Sequence, residues 1–413
     1  MTAGLTIGLG AFFLFGALVD KLRLAATKLL CGVRAGRHRM RNRTHWAGVL
    51  LLLAILNGVV RGEEIRGEEI AVSVDPRVEL VCVVFRLAGH WEYNQARVKG
   101  YAADVDTHFA PVRDHAVVKR ARDLLRTRGI AYDACMSLAI HLDDAATLGE
   151  RVPFEPLPEG LDPRWTPEDA RAFVDELRDF AKAGKFAEFV EAHQELYAET
   201  TRRMETLIAK DVKLAWFRDF FGDRPGASFR VAIGMLNGPM NYGTRCRLED
   251  GSEELHAILG AGSVDREGLP AFGSEMVETL VHEFAHSYVN PIVKAHLDAL
   301  RPAGEKLFAG VAEQMRRQAY GKWETMLCET LVRACVIRYL RANDRGLDAL
   351  RRTAEDQFRG FLWVGRVADA LKAYEKDRAT YPTLDAFVPR IVEVLEREAG
   401  IGGDEQAGTG TNP

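Results

Sequence analysis

Apolar residues follow different rhythms in different parts of this chain. Two apolar stretches open it, at residues 1–19 and 46–60. Between them lies a basic segment with Lys21, Arg23, Lys28, Arg34, Arg37, Arg39, Arg41 and Arg43. Further on, helical spacing dominates. It covers 115–128, then Thr166 to about Phe221 with breaks near Gly184 and Lys210, and finally the C-terminal third to about Glu398. Thr166-Pro167-Glu168-Asp169 is a helix start, with Thr as the cap and Pro first. Residues 228–259 change period. Phe229–Ile233 and Leu255–Leu259 alternate or run apolar, as short strands do, and Leu236–Gly243 between them is rich in turn formers. Val78–Leu87 is a near-continuous apolar run that fits either a buried strand or a helix. The pattern predicts an α+β fold, mostly helical, with a small antiparallel sheet.

Four segments follow from the same reading. Residues 1–61 form a leader, 70–151 a mixed α/β region and 164–398 the main region. A Pro-rich connector at 152–165 joins the last two. The Gly-rich, polar tail at 400–413 is expected to be disordered. There is no internal repeat.

The leader bears on the compartment. From Met40 onward it has a basic start, an apolar core and then polar chain, the order of a signal peptide, with translation beginning at Met40. The alternative is a membrane hairpin with 21–43 on the cytoplasmic side, although 46–60 is short for a bilayer span. Both place the rest of the chain outside the cytoplasm, periplasmic or secreted and, in the second case, membrane-anchored. A buried helix pair in a cytoplasmic protein fits the basic segment less well. Residues 1–61 hold nine Lys/Arg and one Asp, so the remainder carries 46 basic and 58 acidic residues. Such an acidic domain is a poor partner for nucleic acid. Beyond the leader five Cys remain with no Cys-x-x-Cys, which gives neither a disulfide framework nor a structural zinc site; they read as small core residues.

The chemistry is concentrated at His282-Glu283-Phe284-Ala285-His286. On a helix, i and i+4 share a face, so His282 and His286 can present two imidazoles to one metal ion, with Glu283 within reach of a water on it. This is the arrangement of a zinc hydrolase with Glu as general base. Met276, Val277, Leu280, Val281, Phe284 and Ala285 make the helix apolar nearly all round, hence buried. Buried polar side chains need partners, and a metal supplies them.

Catalytic zinc takes three protein ligands and keeps a fourth position open. Val289 and Ile292 occupy the Gly and third His positions of the metzincin pattern, so the third ligand lies elsewhere. Residues 322–340 read as a helix too apolar for the surface, and Glu329 sits in its middle with Arg333 four residues on. Glu329 is the candidate ligand and Arg333 the group that orients it. A Glu329–Arg333 ion pair without metal is the other reading, and Glu324 the competing ligand. Glu278, one turn before His282, reads as an exposed acid, with a supporting place behind the metal ligands as the other reading.

These residues resemble a family. Asp75–Leu80 with Leu87-Ala88-Gly89, Asn241-Tyr242-Gly243, His282–Pro291 and Glu329–Ala334 are similar to the bacterial proteins grouped as domain of unknown function 4932, held to be gluzincin-like metallopeptidases. The likeness spans roughly residues 72–395. It implies a zincin-like fold, with the small sheet beside the metal-binding helix, and Zn2+ on His282, His286 and Glu329 with Glu283 as base. It implies no substrate. In zincins a sheet edge upstream of the metal helix binds an extended peptide by strand addition. Gly238-Pro239-Met240-Asn241 faintly resembles the Gly-Ala-Met-Glu-Asn strand of gluzincin aminopeptidases. Asn241 stands where those enzymes have the Glu that recognises a free N-terminus, which speaks against aminopeptidase action. Asn241 or Tyr242 could donate to the oxyanion of a tetrahedral intermediate; an ordinary turn also calls for Asn and Gly.

The expected function is an exported zinc-dependent peptidase acting on peptides or proteins. The alternatives are a non-catalytic, membrane-associated interaction protein on a zincin scaffold, and a zinc hydrolase of non-peptide amides.

Overall fold

Asp75 and Pro76 settle the ambiguity of the first apolar run. Asp75 accepts a hydrogen bond from the Arg77 backbone N–H at 2.9 Å, and Pro76 occupies the first helical position. Val78–Leu87 is therefore helix, not strand: α1, Pro76–Leu87, buried continuously from Val78 to Phe85. A computed structural model describes residues 70–401. The leader and nearly all of the tail lie outside the described residues.

Ahead of α1 lies β1 (Ile70–Ser73). After it come α2 (Lys99–His108), α3 (Ala116–Arg128) and α4 (Asp133–Ile140). The connector carries neither helix nor named strand. Thr166 then caps α5 (Pro167–Ala183) by accepting from the Asp169 N–H at 3.1 Å. Helices α6 (Phe186–Ala192), α7 (Gln194–Asp211) and α8 (Ala215–Phe221) follow, separated near Gly184 and Lys210 as the pattern predicts. The strands are β2 (Ala227–Gly234), β3 (Asn241–Arg247) and β4 (Glu253–Gly260). Six helices complete the described residues: α9 (Glu275–Ala295), α10 (Leu297–Arg316), α11 (Trp323–Ala342), α12 (Gly346–Phe358), α13 (Val364–Lys376) and α14 (Leu384–Glu398).

The fold is α+β and mostly helical, but the sheet is mixed, not antiparallel. Its order is β1-β2-β4-β3; β1 pairs parallel to β2, β2 parallel to β4, and only β3 runs antiparallel, against β4. The reason lies in β3. Asn241–Arg247 has no apolar alternation, as suits an edge strand, and so reads as the end of a turn. Because β3 folds outward to the edge, β2 and β4 come side by side in the same direction. The continuous apolar run of Leu255–Leu259 is the mark of an inner strand, and every residue of β4 is buried.

Alternation along β3 assigns its two faces. A Cβ built on Gly243 would stand 2.1 Å from the Glu283 carbonyl oxygen, so this face lies directly against α9. The opposite face packs on α4, and α1 packs on β2. One contiguous core runs from Ile70 to Leu395. The tight approach yields a first prediction. Gly243→Ala is expected to push β3 off α9 at a cost of about 1–3 kcal/mol. Thermal unfolding checks it; an unchanged midpoint would mean the two backbones can separate freely.

Among the described residues no helix is long and apolar enough to cross a membrane. Cys82, Cys135, Cys246 and Cys335 are buried and free, and Cys328 is half-buried and free.

Candidate metal centre

Helix α9 carries a proline, Pro291, in its last two turns. Pro lacks the N–H that would bond the carbonyl four residues back. Arg224 supplies the replacement, with Nη1 donating to the Ser287 carbonyl at 3.1 Å. Its guanidinium also pairs with Glu253 at 2.7 Å and lies 4.8 Å over the Tyr288 ring. The helix therefore continues through Pro291, and the turn that carries His286 and Asn290 is held in place.

His282 and His286 project from one face of α9 toward Glu329 in the middle of α11. His282 Nε2 lies 3.2 Å from His286 Nε2 and 3.5 Å from Glu329 Oε2; His286 Nε2 lies 3.3 Å from Glu329 Oε1. A tetrahedral zinc site with bonds of about 2.0–2.1 Å has donor atoms about 3.4 Å apart. Each imidazole stands near that distance from the other and from one oxygen of the Glu329 carboxylate, His282 from Oε2 and His286 from Oε1, and two imidazoles with one carboxylate are a zinc-type donor set. Among the described residues they form a group able to hold a metal ion.

Their supports come from three elements. His286 Nδ1 lies 3.1 Å from Asn290 Oδ1, which as an acceptor fixes the proton on Nδ1 and leaves the Nε2 lone pair facing the cluster. Arg333 Nη2 donates to Glu329 Oε2 at 2.9 Å, and its Nη1 donates to Asp356 Oδ1 at 2.6 Å. Asp356 is fully buried on α12 and also accepts from Arg352 Nε at 2.8 Å. The Arg333 guanidinium rests 4.4 Å over the Phe361 ring, and its Nη2 reaches the Tyr320 hydroxyl at 3.3 Å. A buried carboxylate is thus aimed by an arginine that is itself clamped.

Charge follows from these contacts. Burial alone would raise the Glu329 carboxyl, but His282, Arg333 and His286 hold it well below the usual range, so it is anionic. Burial drives the His282 pKa well down despite Glu329. Burial works the same way on His286, but its hydrogen bond and charge interaction with Glu329 prevail and raise it to about 9. Burial lifts the Glu283 carboxyl to about 7, with the His286 charge opposing and Glu329 reinforcing. A cation bound at the three donors would replace the proton on His286.

The structure brings together His282, Glu283, His286, Glu329 and Arg333. Glu324, half-buried near the start of α11, is not in the group. Asn241 and Tyr242 are not at the cluster either. The Asn241 side chain closes its own turn, accepting from the Gly260 N–H at 3.0 Å and donating to the Pro239 carbonyl at 3.2 Å. Tyr242 neighbours Gly243, and alternation turns it to the sheet face away from Glu283. Its buried hydroxyl has no hydrogen-bond partner among the described residues, and burial together with Glu92, Cys135 and Cys82 pushes its pKa up. The reading of Tyr242 as an oxyanion donor is corrected by one residue of strand parity. Glu278 is buried rather than exposed, facing Arg345 at 3.3 Å, Arg351 at 2.5 Å and Arg352 at 3.9 Å.

Asn290, Tyr320 and Asp356 were not singled out by the sequence. For Asn290 a local signal existed, its i+4 spacing from His286; the other two arrive by tertiary contact. Asn290→Ala is expected to weaken metal binding by about 10–100-fold with all three donors retained. Competition titration against a chromophoric chelator measures it. Unchanged affinity would mean that the Asn290 contact does not orient the imidazole.

A family model described as Domain of unknown function (DUF4932) matches residues 159–394. The chain belongs to this family. The DUF4932 match takes in β2–β4, α9 and α11, and hence every residue of the cluster. It begins well after the Asp75–Leu80 and Leu87–Gly89 segments. No curated protein and no solved structure matches the chain.

Proposed function

We propose that this DUF4932 protein is a zinc-dependent metallopeptidase of gluzincin type on a zincin-like scaffold. The reading rests on one observation above all: the His282 and His286 Nε2 atoms, 3.2 Å apart, converge on the Glu329 carboxylate, at 3.5 Å from Oε2 and 3.3 Å from Oε1 respectively, with Glu283 buried beside them. A zinc ion held there would polarise a substrate carbonyl and acidify a water bound to it. The Glu283 carboxylate takes the proton of the attacking water and delivers it to the leaving amine. Arg333 and Asp356 keep the Glu329 carboxylate aimed at the metal. Tyr320, whose hydroxyl interacts with Glu329 and Arg333, is better placed than Tyr242 to donate to a developing oxyanion. The intact Glu283 favours an enzyme over a non-catalytic scaffold. The leader favours an extracytoplasmic location, which mass spectrometry of the mature N-terminus would test.

Treatment with a chelator is expected to abolish hydrolysis of a denatured protein substrate and to lower the unfolding temperature, with zinc restoring both. Hydrolysis unaffected by complete metal removal would defeat the proposal. Cleavage of small amides but of no member of a peptide library would favour the non-peptide alternative.

A further inference from the structure

The inner side of α12 is committed to the core: Ala349 and Asp356 are buried, and Asp356 holds Arg333. Its outer side is not polar. Leu347, Leu350, Ala354 and Phe358 recur at i, i+3, i+7 and i+11, which is one stripe of a helix. Leu347 is 84% exposed, Leu350 63% and Phe358 87%; Leu362, just past the helix, is 58% exposed. Gln357 Nε2 donates to the Leu362 carbonyl at 3.3 Å and keeps that residue beside the stripe. Large apolar side chains gathered along about 16 Å of helix form a patch, unlike single exposed leucines.

The Phe358 end of the stripe is basic. Gln314 Nε2 donates to the Phe358 carbonyl at 2.6 Å and Gln318 Nε2 to the Arg359 carbonyl at 2.8 Å, so the end of α10 adjoins this corner. Arg316 and Arg317 from α10 and its C-cap, Arg359, and Arg366 at the start of α13 are all exposed, as are Glu313, Glu355 and Glu398; Glu313 pairs with Arg317 at 3.3 Å and Glu398 with Arg366 at 3.8 Å, which leaves Arg316 and Arg359 outside these pairs. The corner's four arginines outnumber its three carboxylates by one, within a segment, 62–413, that has 46 basic and 58 acidic residues.

We propose that this face is a membrane contact. Leu347, Leu350, Phe358 and Leu362 insert at the headgroup boundary of an anionic bilayer, while the arginines meet lipid phosphates. A second copy of the chain fits less well. A twofold pairing would set the basic corners into the same interface.

The test is co-sedimentation of the full chain with vesicles of phosphatidylcholine alone, or of phosphatidylcholine mixed with phosphatidylglycerol. Binding to the anionic vesicles is expected to be at least about tenfold stronger. The double variant Leu347→Asp/Phe358→Asp, with both changes on exposed positions, should lose at least about tenfold of it. Arg316→Glu/Arg317→Glu should erase the preference for anionic vesicles. Equal binding by wild type and the apolar double variant overturns the proposal, because membrane affinity would then reside elsewhere in the chain. So does absence of binding. A vesicle-free dimer that the same double variant converts to monomer also overturns it, in favour of a second copy.

Discussion

Glu329→Ala is expected to leave the protein without bound zinc. Structural four-ligand zinc sites are worth roughly 10–16 kcal/mol, or roughly 3 kcal/mol for each ligand. Removing one of three protein donors should therefore weaken affinity by roughly two orders of magnitude or more. Metal analysis of the purified protein after dialysis would read this as a fall from about one zinc per chain to near zero. The same change takes from Arg333 one of its two carboxylate partners, leaving only Asp356 at 2.6 Å. A buried charge that loses a partner costs about 3–5 kcal/mol, so the variant should also unfold earlier. Glu329→Gln separates the two effects. It keeps the shape and an oxygen for Arg333, yet offers the metal a neutral amide. Full zinc occupancy in a folded Glu329→Ala protein would remove Glu329 from the site and make Glu324 the next donor to test.

How far the sequence foretold this arrangement depends on the distance over which each contact acts. The His282–His286 pair and the Glu329–Arg333 pair are one helical turn apart, so periodicity alone reveals them. Glu329 was legible because an acid amid Met326, Leu327, Leu331 and Val332 must have a partner. Asp356, Tyr320 and the arginines around Glu278 were not legible, since each comes from a different element and no local pattern carries it. Glu278 misled because acids in a first helical turn are commonly solvent-facing; here α12 lies over it. Tyr242 misled by parity. Gly243 touches Glu283, and in a strand the neighbouring residue points to the opposite face. The mixed sheet was hidden for a related reason. Pairing direction is set by where β3 lies, and an edge strand of Asn, Tyr, Gly, Thr, Arg and Cys lacks the alternation that announces a strand.

Glu283→Gln is expected to do the opposite of Glu329→Ala: zinc stays, the fold stays, and turnover falls by about 10²–10⁴-fold. The argument rests on where Glu283 lies. It directly follows His282 in α9, is buried, and contributes no atom to the three-donor group. Glutamine fills the same space against β3 and carries no charge that must be desolvated, so no loss of stability is expected. What it lacks is a site that can accept a proton and hand it on. A general base works best when its pKa lies near the working pH, and burial has already lifted the Glu283 carboxyl to about 7. The two substitutions therefore divide the site into a part that holds the metal and a part that moves the proton. Zinc content, circular dichroism and turnover measured on one preparation would show the division. Retained turnover in Glu283→Gln would assign the proton to another group. Loss of zinc together with turnover would make Glu283 a ligand, which its place outside the donor triangle argues against.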